Sequence, residues 1–386
     1  MKLELQRRIN KVKETIASTN TDACIITTSV NQYYLCGYIF DGYLLILPDN
    51  DPILFVKKPS NLTGDGIENI RKPEQICDFF NKYNLSKINR ILIESDVMPY
   101  SSTIRLQEAL GNPELINVSQ TMRAIRSIKS EFELQQIREN AQIHSKVYEQ
   151  IPNIYHKGMT DIAFQIELEH LMRLNGSLGI FRSFGEKMDI YMGSILSGNN
   201  AQAASPYDYA LGGNGLNPIL PLGANGAILK DGTTLMVDMA GNYRPWMDDM
   251  TRTFAIGDSV PEIAYKAHQV SIDIHQQIAK SSKEGTACTD LYNLAINIVK
   301  DNNLEPYFMG TIQQAKFIGH GVGLEINEPP VLSLKSPDIL KEGMAIAVEP
   351  KFVLPGIGAV GIENTYFVHN QSIEKVTLCE ESMLTL

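Results

Sequence analysis

The chain has 386 residues, 44% hydrophobic and 20% charged, with a formal net charge of -10. That length suits two domains and the composition suits a globular protein. The acidity carries no basic patch for nucleic acid, and no stretch approaches the roughly 18 apolar residues of a membrane span.

The opening MKLELQRRINKVKETI lacks an apolar signal-peptide core; Ile9, Val12 and Ile16 instead line one face of a helix. Strand-like runs follow at 23–26, 43–47, 53–56 and 91–93, with Asp49-Asn50-Asp51-Pro52 as a turn. This predicts an α/β unit of about 120 residues with its own core. A long helix comes next: Ser130 and Glu133 have capping-box spacing, and Leu134, Ile137, Ala141, His144, Tyr148 and Ile151 form its stripe. His144 there is read as a structural histidine. The domain boundary is set just before Ser130, giving domains 1–128 and 129–386. A second helix runs from Thr160 to Leu174 and closes on Asn175-Gly176. Short strands then alternate with helices near 260–283 and 288–302, so an α+β domain is expected. Gly212-Gly213-Asn214-Gly215 lacks the Gly-Lys-Ser/Thr ending of a phosphate loop and reads as a flexible loop. The five cysteines (Cys24, Cys36, Cys77, Cys288, Cys379) are dispersed, without a CxxC pair. They fit reduced thiols, so a cytoplasmic protein without membrane or nucleic-acid partners is expected.

Chemistry concentrates in four segments. In TLMVDMAGNYRPWMDDMTRTF, strands 235–240 and 251–256 flank a turn at 241–245, and Asp238 and Asp249 lie nearly symmetric about it. A hairpin would bring both carboxylates together. In MAIAVEPKFVLPGIGAVGIENTYFV, Glu349 and Glu363 are symmetric about Pro355-Gly356-Ile357. Four such carboxylates repel one another at low dielectric, and cations relieve that repulsion. His320 in FIGHGVGLEINEPP is flanked by Gly319 and Gly321, which would let the backbone pass close to a ligand and leave the imidazole exposed. Four carboxylates and one imidazole suit Mn, Co, Fe or Zn, and five protein ligands suggest two divalent ions, with Mn or Co favoured.

These motifs resemble the pita-bread metallopeptidase family, in particular its aminopeptidase-P/prolidase branch, over nearly the whole chain. RINKVKETIASTNTDACIITTSVNQYYLCGY resembles the creatinase-type N-terminal domain, and RAIRSIKSEFELQQIRENAQI the inter-domain helix. VDMAGNYRPWMDDMTRTF, GHGVGLEINEPP, VEPKF and GIENTYFV resemble the metal motifs. The resemblance implies an α/β creatinase-type domain followed by an α+β pita-bread domain, and a homodimer. It implies Asp238 on one metal, His320 and Glu349 on the other, with Asp249 and Glu363 bridging. Glu349 would also be the catalytic group that moves the proton of the bridging water.

Three positions depart from the family. Asn327 stands where the peptidases carry a second His, and is the substrate-side candidate. Another family His would fall near Pro221, where none exists. The Arg preceding the last metal Glu is replaced by Gly361. Asn327 cannot exchange a proton near neutral pH, and the stretch SPYDYALGGNGLNPILPLG occupies the place of the other His. The leading expectation is therefore a metal-dependent Xaa-Pro aminopeptidase or dipeptidase acting on small peptides. The alternative is an enzyme of this fold cleaving a C–N or C–S bond in a non-peptide substrate, and the third is a non-catalytic binding protein.

Overall fold

The computed structural model describes residues 2–80, 82–83, 85, 87–185, 192–207 and 209–386. The chain divides into two compact units, Met1–Ile125 and Arg126–Leu386.

The first unit runs α1 (Lys2–Ser18), β1 (Ala23–Ile26), α2 (Ser29–Cys36), β2 (Asp41–Ile46), β3 (Ile53–Lys58), β4 (Ile67–Asn69), β5 (Arg90–Ile93), α3 (Tyr100–Ala109) and β6 (Glu114–Asn117). Its mixed sheet has the order β4-β3-β2-β1-β5-β6. The apolar runs β1 and β5 are adjacent interior strands, buried along nearly their whole length. The short strands β4 and β6 escape sequence reading because Ile67-Glu68-Asn69 and Glu114-Leu115-Ile116-Asn117 offer no apolar run longer than two residues.

Helix α4 (Ser119–Ser127) leads into the second unit, which opens on α5 (Glu131–Tyr148) and α6 (Asp161–Leu174). The capping box of α5 is formed: Glu133 N donates to Ser130 Oγ at 3.3 Å and Ser130 N to Glu133 Oε2 at 2.8 Å. Thr160 caps α6 through Ala163 N at 3.2 Å. Then follow β7 (Gly193–Ser197), β8 (Thr234–Gly241), β9 (Asp248–Ala255), α7 (Glu262–Ser281), α8 (Cys288–Asp301), β10 (Phe317–Gly321), β11 (Glu328–Ser333), β12 (Ala345–Val348), β13 (Lys351–Leu354), β14 (Gly358–Gly361), β15 (Asn364–Val368), β16 (Ile373–Lys375) and β17 (Leu384–Thr385). One sheet is ordered β17-β9-β8-β7 and another β11-β10-β12-β15-β16, with β13-β14 as a separate ribbon. The apolar faces of α7 and α8 pack with residues of β10–β15 into one large core. Among the described residues no helix is long and apolar enough to cross a membrane.

Candidate metal centre

The first carboxylate pair sits on the β8–β9 hairpin. Its register places Asp238 opposite Thr251 and Asp249 opposite Ala240, so the two aspartates are diagonal neighbours on one face. Strand β9 begins at Asp248, earlier than the expected Thr251. Asp248 does not break the strand because its carboxylate is fully partnered: Asn140 donates to it and His144 Nδ1 lies 2.9 Å from Oδ2. His144 is thus buried on a neighbouring acid.

The second pair lies at a break between ladders. Strands β12 and β15 pair Val348 with Asn364, and β13 and β14 pair Lys351 with Gly361, so Glu349 and Glu363 face each other between them. Helix α7 fastens that break. Ser271 Oγ donates to Pro350 O at 2.6 Å and accepts from Ile362 N at 3.0 Å. One turn on, His275 Nε2 lies 3.2 Å from Ile362 O and must donate, so Nδ1 accepts from the Tyr366 hydroxyl at 2.9 Å. The hairpins are joined by Glu363 N donating to Thr251 O at 3.1 Å and Thr251 Oγ1 donating to Glu363 Oε2 at 2.7 Å. Asp249 N donates to Thr365 Oγ1 at 3.0 Å, which donates to Asp249 O at 2.9 Å.

His320 stands on β10, between β11 and β12. Its Nδ1 faces Gly321 O at 3.1 Å, so in the neutral ring that nitrogen carries the proton and Nε2 is the one left to bind a cation. Nε2 lies 3.4 Å from Glu349, 3.9 Å from Asp249 and 4.0 Å from Glu363. The flanking glycines serve a different purpose from the one expected. A Cβ at Gly319 would come 2.3 Å from Ala347 O, and one at Gly321 2.1 Å from Pro329 O. They admit the neighbouring strands, and the imidazole is only 13% exposed.

The structure thus brings Asp238, Asp249, His320, Glu349 and Glu363 together. Two triads could each hold an ion, Asp249–His320–Glu363 and Asp238–Glu349–Glu363. Burial and the neighbouring carboxylates push Asp249 well above its ordinary range, and Glu363 up to about 8. Burial would also raise Glu349, but Lys351 and His320 overcome it and hold it at about 2. Burial would lower His320, yet Glu349 carries it up to about 9. Among the described residues Glu363 Oε1 is buried without a hydrogen-bond partner, and a buried acceptor of that kind suits a cation.

Asn327 is engaged elsewhere. Its Nδ2 donates to Phe184 O at 2.7 Å, and Phe184 N donates to its Oδ1 at 2.7 Å. Pro221, near the position of the other absent His, accepts Ser205 Oγ at 2.8 Å through its carbonyl. A Cβ at Gly361, where φ is 134°, would come 2.7 Å from Pro350 O, so the backbone leaves no room for a larger residue.

Two residues escaped the sequence reading. Lys351, wholly buried, donates to Asp238 at 2.9 Å, Glu349 at 2.7 Å and Glu363 at 3.1 Å. Its signal was a lysine opening an apolar strand two residues after Glu349, hence on the same side of an extended chain. Tyr209 belongs to the stretch at the missing His, and Asp208 beside it lies outside the described residues. Burial raises the Tyr209 phenol, and the charges of Asp249 and Asp238 add to that shift. No periodicity marks a residue in such a loop.

The chain is similar to known proteins over nearly its whole length. Residues 8–128 match the creatinase/prolidase N-terminal domain and residues 135–370 match metallopeptidase family M24. An Xaa-Pro dipeptidase of Pyrococcus horikoshii is 25% identical over 390 residues, covering 98% of this chain and 99% of the relative. An uncharacterized peptidase of Staphylococcus aureus is 26% identical, covering 97% and 99%. The solved Xaa-Pro dipeptidase from Bacillus anthracis shares the fold with a TM-score of 0.82 at 22% identity, covering 99% of this chain and 100% of that one. The prolidase structure from Pyrococcus horikoshii OT3 gives 0.79 at 24%, covering 97% and 99%. With the five clustered residues inside the matched span, the chain belongs to metallopeptidase family M24 and carries a creatinase-type N-terminal domain ahead of the pita-bread fold.

Proposed function

We propose that this protein is a metal-dependent peptidase acting on Xaa-Pro dipeptides or on the N-terminus of short Xaa-Pro peptides. The observation that carries the reading is the meeting of three buried carboxylates and the half-buried Asp238 with the Nε2 of His320. A divalent ion, manganese or cobalt in this proposal, would supply Lewis acidity there. Asp249, His320 and Glu363 have the donors for it, and Glu363 Oε1 has no hydrogen-bond partner among the described residues.

Glu349 is the proposed proton acceptor for the attacking water, because its carboxylate lies 3.4 Å from His320 Nε2, beside the ion that Asp249, His320 and Glu363 would hold. Its proximity to His320 and Lys351 fixes where that proton arrives. Tyr209, in the loop that replaces the family histidine, is the proposed hydrogen-bond donor to the substrate. Asn327 is proposed to act indirectly, by holding Phe184. By resemblance the working form is a homodimer, which light scattering on the purified chain tests.

The engagement of Asn327 with Phe184 favours one second reading, C–N or C–S cleavage in a non-peptide substrate, because the family's proton-exchanging group is absent from that side. A panel of Xaa-Pro dipeptides, longer Xaa-Pro peptides and non-peptide amides, assayed with Mn- or Co-loaded protein, separates the two. Cleavage confined to Xaa-Pro bonds supports the peptidase. A metal-loaded protein that cleaves no peptide rules it out.

A further inference from the structure

We propose that Lys351 is a built-in cation occupying one of the two cation positions, so that this chain holds a single divalent ion, between Asp249, His320 and Glu363. The inference rests on the reading of the cluster as a metal centre, and not on the identity of the substrate.

The first observation is coincidence of place. The three carboxylates that would form the second triad, Asp238, Glu349 and Glu363, are the three that accept hydrogen bonds from Lys351 Nζ. An ammonium has three N–H donors, and all three are used here. A divalent ion would need the same oxygens at about 2.0–2.2 Å, inside the volume that Nζ fills. Two cations cannot share that space, and their mutual repulsion adds to the steric conflict.

The second observation is that the lysine has nowhere else to go. Lys351 is fully buried on β13, and its strand neighbours Phe352, Val353 and Leu354 are core residues. Leaving the carboxylates would place an unpaired ammonium in that apolar surrounding, which is strongly unfavourable. Gly361 stands opposite Lys351 in the ladder and sets no side chain beside it.

The third observation separates the two triads. Glu363 Oε2 is taken by Lys351 and Thr251, whereas Glu363 Oε1 is buried and has no hydrogen-bond partner among the described residues. His320 Nε2, 4.0 Å from that oxygen, has its tautomer set by Gly321. The open valences therefore point into the Asp249–His320–Glu363 triad. A divalent ion plus one ammonium against four carboxylates leaves a single negative charge, which suits a buried site better than four. Asp238 then acts as a partner of Lys351 and not as a ligand of an ion.

The test is metal content per chain by elemental analysis after loading the full-length protein with Mn(II) and removing free ion, paired with electron paramagnetic resonance. Wild type is expected to hold one ion, with the spectrum of an isolated Mn(II). Lys351→Ala is expected to hold two, with a spin-coupled spectrum, and Asp238→Asn is expected to keep its one ion while Asp249→Asn loses it. Wild type with two spin-coupled ions overturns the proposal and leaves the metallopeptidase reading standing. Wild type with no ion overturns both. A folded Lys351→Ala that still holds one ion also overturns it. Should that variant not fold, the wild-type stoichiometry and the contrast between Asp238→Asn and Asp249→Asn decide.

Discussion

Tyr209 carries a buried phenolic hydroxyl that has no hydrogen-bond partner among the described residues. Its ring packs edge-on against Phe181, with centroids 5.8 Å apart. A buried donor left unpaired is costly, and a bound substrate carbonyl would relieve that cost. Tyr209→Phe keeps the ring and removes the donor, so kcat/KM for the best peptide should fall about 100-fold with little change in stability. Steady-state kinetics together with a thermal melt checks this, and an unchanged kcat/KM would remove Tyr209 from the substrate side. The five candidate ligands were visible in the sequence because each interrupts an apolar strand run or sits beside a turn. Lys351 was hidden because its meaning depends on Asp238 and Glu363, which only the register brings to it. Tyr209 was hidden because loop residues carry no periodic signal.

Helix α7 holds the site through Ser271 and His275, four residues apart on one face. Burial keeps His275 neutral in the folded protein until about pH 4, against an ordinary value of 6.5. Between those values the unfolded chain binds the extra proton, so stability is fully present above 6.5 and declines as pH falls towards 4. Urea unfolding from neutrality to about pH 4.5 should show this decline, and His275→Gln should flatten it; an equally steep slope in the variant would contradict the assignment.

The segment before β11 is tied down by a second device. Glu328 accepts from Arg126 at 3.1 Å and Lys129 at 3.0 Å, and Arg126 also pairs with Glu325. All four side chains are buried, and the two cations overcome burial to hold Glu328 below its ordinary value. Glu328→Ala strands buried positive charge and should cost about 3–5 kcal/mol in chemical denaturation. It should also raise KM, because Asn327 sits within the anchored segment; a loss near zero would mean the network is not structural. Such elements were partly legible: the capping box of α5 and both hairpins follow from local spacing. The start of β9 at Asp248 was not, because only the tertiary partners Asn140 and His144 make an acid tolerable there.

At the scale of the whole molecule, the fold class and the order of the motifs followed from the sequence, since apolar strands and strongly periodic helices dominate the chain. The functional consequence is a cluster whose negative charges favour a bound cation, so removing metal should remove both activity and stability. At an ion concentration one hundred times its dissociation constant, binding should add about 2.7 kcal/mol to the folded state. The decisive measurement is hydrolysis of an Xaa-Pro dipeptide before chelation, after exhaustive chelation and dialysis, and after Mn(II) or Co(II) is returned. The account expects turnover that disappears with the metal and returns with it, and that Asp249→Asn does not recover. Turnover that survives complete metal removal would contradict it.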